Sequence, residues 1–119
     1  MQTNKRRCER IQYQQDVWLK TAAGLALLAK SNNLSAGGME ILCDQITAMS
    51  IKPLGYQLEP DKPLLLSISF CLDKGDESFH ASCCVQNMHR LAQDLFSFNL
   101  SFLDCQHHDR ARLARFINE

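Results

Sequence analysis

The sequence predicts a mainly β domain in which about six antiparallel strands close into a barrel, with one α-helix at the C-terminal end. Three observations predict it. Apolar residues recur at every second position in run after run, as they do in strands with one buried face. Turn-forming residues stand between the runs. Only from Asp109 onward does the period change to that of a helix. At 119 residues the chain has the length of a single domain around a single core.

The elements follow in order. Ile11, Tyr13, Val17 and Leu19 make the first face, Leu25, Leu27 and Ala29 the second, and Met39, Ile41 and Cys43 the third. Ala23-Gly24 separates the first two runs. Pro53, Gly55, Pro60 and Pro63 break up the stretch after the third, which reads as a connection. In the fourth run Leu64, Leu66, Ile68 and Phe70 share one side, while Leu65, Ser67 and Ser69 share the other. Lys74-Gly75-Asp76 marks a hairpin leading to Phe79, Ala81, Cys83 and Val85. The last run is the most regular, with Phe96, Phe98, Leu100 and Phe102 alternating with Ser97, Asn99 and Ser101. From Asp109 onward, Ala111, Leu113, Ala114, Phe116 and Ile117 fall on one helical stripe, with Asp109 near the positive N-terminal end of the helix. Trp18 reads as strand packing, with stacking on a base open to it at a rim.

Composition narrows the function classes. Hydrophobic residues make up 45% and charged residues 22%, an ordinary balance for a folded soluble domain. The formal net charge is zero, so no global field draws the chain to a nucleic acid polymer or an anionic membrane. Single-stranded nucleic acid sites want a basic groove with exposed aromatics, whereas the phenylalanines here alternate inward. The leading residues are polar and then basic, without the apolar centre of a signal peptide, and no apolar run approaches the length of a membrane span. The expectation is a cytoplasmic protein without membrane insertion. In that compartment its six cysteines read as free thiols, several of them serving as small hydrophobes.

Catalytic and metal sites find no support. His107-His108-Asp109 has no Cys or His at the i+3 or i+4 positions that follow it and reads as a helix start. Cys83-Cys84 lacks the C-x-x-C spacing, and adjacent strand residues face opposite sides. His80, His89 and the cysteines do not assemble into a nucleophile–base pair. No enzyme, cofactor or metal is expected.

Two local features remain. Lys5, Arg6, Arg7 and Arg10 place four of the thirteen basic residues ahead of the first strand, as a flexible basic arm over residues 1–10. Asn33-Leu34-Ser35-Ala36-Gly37-Gly38 falls in the turn between the second and third strands. In an antiparallel barrel both can reach one rim. Arg6 with Arg10 resembles the Arg-x-x-x-Arg element of the PilZ family. Asn33, Ser35 and Gly38 resemble its second element, Asp/Asn-x-Ser-x-x-Gly. Both elements occur in order on the expected strand framework, and the resemblance extends over nearly the whole chain.

The resemblance implies a six-stranded PilZ-type barrel over residues 11–119, including the C-terminal helix, with cyclic di-GMP as ligand. The site it implies consists of Arg6, Arg10, Asn33, Ser35 and Gly38, and the chemistry of the neighbouring Arg7 and Gly37 adds them to the expected site. The chemistry suits a compact dianion with two guanines. Guanidinium offers a planar fork for phosphate or for guanine O6/N7, and it stacks on purines. Asn33 is implied to read the N1–H/N2–H edge of one guanine through its side-chain oxygen. Aspartate is the commoner residue there and brings two acceptors; asparagine brings one. Ser35 offers a hydroxyl, and Gly37 and Gly38 allow unusual backbone angles and close approach to the main chain.

The chain is thus read as a receptor or adaptor that changes conformation on binding and signals to an unidentified effector protein. The alternative is a PilZ-like interaction module that no longer binds nucleotide. Asn33 in place of aspartate is the feature in its favour, and the arginine pair with Ser35 and Gly38 is the feature against it.

Overall fold

The structure, a computed structural model, describes residues 10–53, 61–72 and 78–118. Its strands are β1 (Ile11–Gln12), β2 (Asp16–Thr21), β3 (Ala26–Ser35), β4 (Gly38–Cys43), β5 (Leu65–Cys71), β6 (Ser78–Ala92) and β7 (Leu95–Cys105). Two helices accompany them, α1 (Gln45–Ile51) and α2 (His107–Ile117). All pairings are antiparallel, and β3-β2-β5-β6-β7-β4 closes back onto β3 as a six-stranded barrel. The short β1 adds to the far end of β3. Among the described residues, closure leaves no long unpaired edge to template aggregation.

Alternation works as expected in most runs, but Leu25 lies ahead of β3 and is exposed, and Ser97 is buried between Phe96 and Phe98. Val17, Leu19, Leu66, Ile68, Phe79, Cys83, Phe98 and Leu100 point inward and are buried. Because Val17 and Leu19 face in, Trp18 must face out, and its indole is exposed rather than packed. It pairs with Leu28 on β3, five residues from Asn33 and so roughly 16 Å along the strand. Its position lies well away from the Asn33 end of that strand.

The first run differs from its sequence reading, which joined Ile11 to Leu19. The chain leaves the sheet at residues 13–15, and the buried Ser31 fills the break. Its hydroxyl accepts from the Gln15 N–H at 2.9 Å and donates to the Tyr13 carbonyl. One side chain thereby satisfies backbone groups that the missing ladder would have paired. Beyond the break, β2 and β3 are joined by a turn in which Gly24 takes φ +93, a conformation that favours glycine.

A second helix was not expected. Asp44 caps α1 by accepting from Thr47 N at 2.8 Å, and these hydrogen bonds lower its carboxyl pKa. Ala48 and Ile51 bury the inner face. Lys52 then turns extended ahead of Pro53 and ends the helix. Residues 73–77, where the hairpin Lys74-Gly75-Asp76 was read, lie outside the described residues, but β5 and β6 pair up to Cys71 opposite Ser78.

The C-terminal helix closes one end of the barrel with Leu113, Phe116 and Ile117, while Ala111 and Ala114 face solvent instead of sharing the stripe. Asp109 is buried. It accepts from the His80 N–H at 3.4 Å and pairs with Arg112 at 3.1 Å, which fastens the start of the helix to β6. Phe116 meets Tyr13 edge-on with ring centroids 5.3 Å apart, and Tyr13 meets Phe70 at 5.9 Å. The Tyr13 hydroxyl donates to the Cys71 carbonyl. The helix thus holds the connector that leads back to Arg10.

Cys43 and Cys83 serve as core hydrophobes. Burial pushes their thiols from an ordinary 9.0 up to about 12, with Asp44 adding to the effect at Cys43 and Cys105 and Cys84 adding at Cys83. A thiol held neutral in the fold contributes stability that is complete below pH 9.0 and is lost as pH rises towards 12. The unfolding midpoint should therefore fall progressively above pH 9.0. Under native conditions a maleimide should label the exposed Cys71 and spare Cys43 and Cys83, as peptide mass spectrometry would record.

Candidate functional site

The site grows out of the way β1 adds to β3. Ile11 pairs with Leu34 and Gln12 with Asn33, so the residue just before β1 is brought alongside the end of β3. Arg10 occupies that position. Its Nη1 donates to Asn33 Oδ1 at 2.5 Å, across 23 residues of sequence. Arg10, the second arginine of the first motif, therefore meets the second motif at one corner of the barrel. Arg6 and Arg7 lie outside the described residues.

The second motif is not a turn throughout. Asn33, Leu34 and Ser35 belong to β3 and Gly38 begins β4, so Ala36-Gly37 alone form the bend between paired Ser35 and Gly38. Ser35 is buried, and its hydroxyl works inside this bend, accepting from Gly37 N and donating to the Gly38 carbonyl, both at 3.2 Å. Neither Gly37 nor Gly38 has a positive φ. A Cβ on Gly37 would meet open space, whereas one on Gly38 would run into the backbone carbonyl of Leu100 on β7. Gly38 is thus required by a close approach of protein backbone, and the motif's last position sets how tightly β4 packs on β7.

Beside Asn33 the ladder contains a bulge. Ser31 lies opposite Ile41 and Asn33 opposite Glu40, which leaves Asn32 as the extra residue. The bend in the strand lets two neighbouring side chains reach one partner. Asn32 Nδ2 and Asn33 Nδ2 each donate to Glu40 Oε1 at 2.8 Å. The outward polar row continues from Glu40 to Asn99 on β7 and Asn87 on β6, with Asn99 Nδ2 donating to Asn87 Oδ1 at 2.7 Å. Sequence reasoning missed Glu40, Asn99 and Asn87. Glu40 was legible by phase, since it alternates with the inward Met39 and Ile41. What the period could not supply was the cross-strand register.

The corner therefore presents a guanidinium, a carboxamide oxygen and a carboxylate on a rigid sheet surface, a set that can bind a charged, hydrogen-bonding ligand. Among the described residues no three His, Cys, Asp or Glu side chains cluster to hold a metal ion, and no helix is long and apolar enough to cross a membrane.

The profile of the PilZ domain matches residues 4–119. The chain belongs to the PilZ domain family. No curated protein matches it. Among solved structures it is similar to the PilZ domain of YcgR from Escherichia coli with c-di-GMP, at 20% identity and TM-score 0.67, covering 96% of this chain and 89% of that one. It is also similar to the inhibitor of motility MotI/DgrA of Bacillus subtilis, at 15% identity and TM-score 0.66, over 92% of this chain and 48% of that one. PlzA of Borreliella burgdorferi, in complex with c-di-GMP, matches at 10% identity and TM-score 0.60, over 98% of this chain and 52% of that one. This PilZ chain thus spans about half the length of the latter two proteins. At these identities the likeness establishes the barrel and its C-terminal helix.

Proposed function

We propose that this PilZ domain is a receptor for cyclic di-GMP that passes its occupancy to a partner protein and has no catalytic activity. The observation that carries the reading is the Arg10–Asn33 contact, which joins both motif elements at one corner. Arg10 is exposed and lies outside the strands, just before β1, so its guanidinium is free to turn from Asn33 to a phosphate or the face of a guanine. Asn33 then offers its oxygen to the base. Arg6 lies four residues and Arg7 three residues before Arg10, within reach of the same ligand on one short segment, and both are part of the proposal. YcgR and PlzA, which share the fold, are described with c-di-GMP.

Closure of the leading segment over the ligand would give the signal its form, since it changes the surface beside β1 without altering the barrel. The cytoplasm, where the expected partner would be met, completes the proposal. Calorimetric titration tests it, with GTP and cyclic di-AMP as controls. Binding of cyclic di-GMP is expected, with Arg10→Ala weakening it by about 10- to 100-fold, the value of one bidentate guanidinium contact, and with amide exchange slowing over residues 3–10 in the complex. Tight binding that survives Arg6→Ala together with Arg10→Ala would refute this site. The absence of any heat at high micromolar nucleotide would make the chain an interaction module that does not bind nucleotide.

A further inference from the structure

A guanine presents two adjacent donors, N1–H and N2–H, on its pairing edge. One carboxylate satisfies both, but Asn33 brings a single acceptor oxygen. We infer that Glu40 supplies the second acceptor, so that Asn33 Oδ1 and Glu40 Oε2 together read the guanine edge and Glu40 is a specificity-determining residue of the site. This inference rests on the cyclic di-GMP reading above.

Three features of the corner support it. Glu40 lies directly opposite Asn33 in the β3–β4 ladder. The bulge aims the Asn32 and Asn33 amides at Oε1, both at 2.8 Å, and leaves Oε2 without a hydrogen-bond partner among the described residues. The carboxylate is thus oriented in advance, with one oxygen held and the other open. The same contact fixes the Asn33 amide, because a side chain that donates through Nδ2 to Glu40 must turn Oδ1 away from it. Arg10 now occupies Oδ1, and the ligand would take its place.

This geometry also accounts for asparagine at position 33. An aspartate there would face Glu40 carboxylate to carboxylate, with no donor between them, and like charges directly opposite across a ladder are destabilising. Asparagine donates to Glu40 and keeps one acceptor outward. The acceptor pair is thereby split over two strands. Adenine sets a bare ring nitrogen where guanine has N1–H, so an outward carboxylate oxygen would repel it and favour cyclic di-GMP over cyclic di-AMP.

The test is a double-mutant cycle by calorimetry with both cyclic dinucleotides, on the full chain, with a thermal melt of each variant. Glu40→Gln should weaken cyclic di-GMP binding by about 10- to 100-fold and narrow its preference over cyclic di-AMP. Asn33→Asp alone should weaken binding through the opposed carboxylates. Asn33→Asp with Glu40→Gln should recover affinity to within a few-fold of the natural chain, because both acceptors then sit on residue 33 and residue 40 becomes a donor. Recovery of this kind is not available to a residue that merely supports the fold. If the natural chain binds cyclic di-GMP but Glu40→Gln binds equally well, or the double variant is no better than Glu40→Gln, this inference is overturned and the receptor reading stands. If the natural chain binds no cyclic di-GMP, the receptor reading fails and takes this inference with it.

Discussion

Gly38→Ala is expected to cost the barrel about 3 kcal/mol, at the upper end of the range for overpacked interiors, while Gly37→Ala next to it should be neutral or mildly stabilising. The two glycines are adjacent in sequence and share the same turn chemistry, yet their surroundings are opposite. A methyl group on Gly37 meets nothing within 4 Å, and its backbone already lies in a region open to any residue. Alanine there should gain the few tenths to 1 kcal/mol, roughly, that come from a less flexible unfolded chain. A methyl group on Gly38 would overlap the Leu100 carbonyl. That oxygen belongs to a ladder strand and cannot rotate aside as a flexible side chain would, so β4 and β7 must part. The tether from Phe102 N to the Gly37 carbonyl, 2.9 Å long, would be strained in the same movement. Urea unfolding of both variants measures the difference. Equal stability of the two would show that the strands separate without cost.

How much of this was legible before the structure depends on the kind of information each feature needs. Period-two alternation reports burial on one face, and the inward sets Phe79 to Val85 and Phe96 to Leu100 came through because each strand has one wall on a common core. The motif pair came through because its residues have distinctive chemistry. The helix α1 did not. It spans seven residues, too few for a helical period to stand out, and only its Asp44 cap with Ala48 and Ile51 three residues apart gave a signal. The far half of β6 was missed for a different reason: beyond Val85 most of its residues are exposed on both faces, so nothing alternates, and pairing with β7 carries the strand there.

The break in the first run needed information of a third kind. A serine inside a strand reads as unremarkable polarity, and only the fold reveals that Ser31 satisfies the backbone groups on both sides of the gap. The candidate site has the same character. Arg10 and Asn33 could be named from the sequence, but Glu40 becomes part of the corner through register and a bulge, neither of which a one-dimensional pattern encodes. Side chains that act through a neighbour across the sheet are the ones that a motif leaves out.

The largest loss of stability should come from Phe79→Ala, at about 3–5 kcal/mol. Phe79 is fully buried and stands within a row of aromatic rings. Its centroid lies 5.1 Å from that of Phe70 and 5.6 Å from that of Phe102, and the row continues through Tyr13 to Phe116 on α2. Closed barrels relax poorly around a missing ring, because every strand is held by two neighbours, so much of the cavity should persist. Against a total stability of about 5–15 kcal/mol for a domain, such a loss brings the fold close to its limit. The damage should also spread along the row. With Phe70 no longer backed by Phe79, a ring that Tyr13 packs on is less firmly held, and the connector that holds Arg10 beside Asn33 loosens together with the seat of the helix. Phe116→Ala, which removes only the outer, half-buried ring, should cost less than Phe79→Ala and should raise amide exchange chiefly in α2 and in residues 11–15. Denaturant unfolding with residue-resolved exchange would distinguish this ordered row from a core in which each ring acts alone, where loosening would stay confined to the immediate neighbours of the substituted residue.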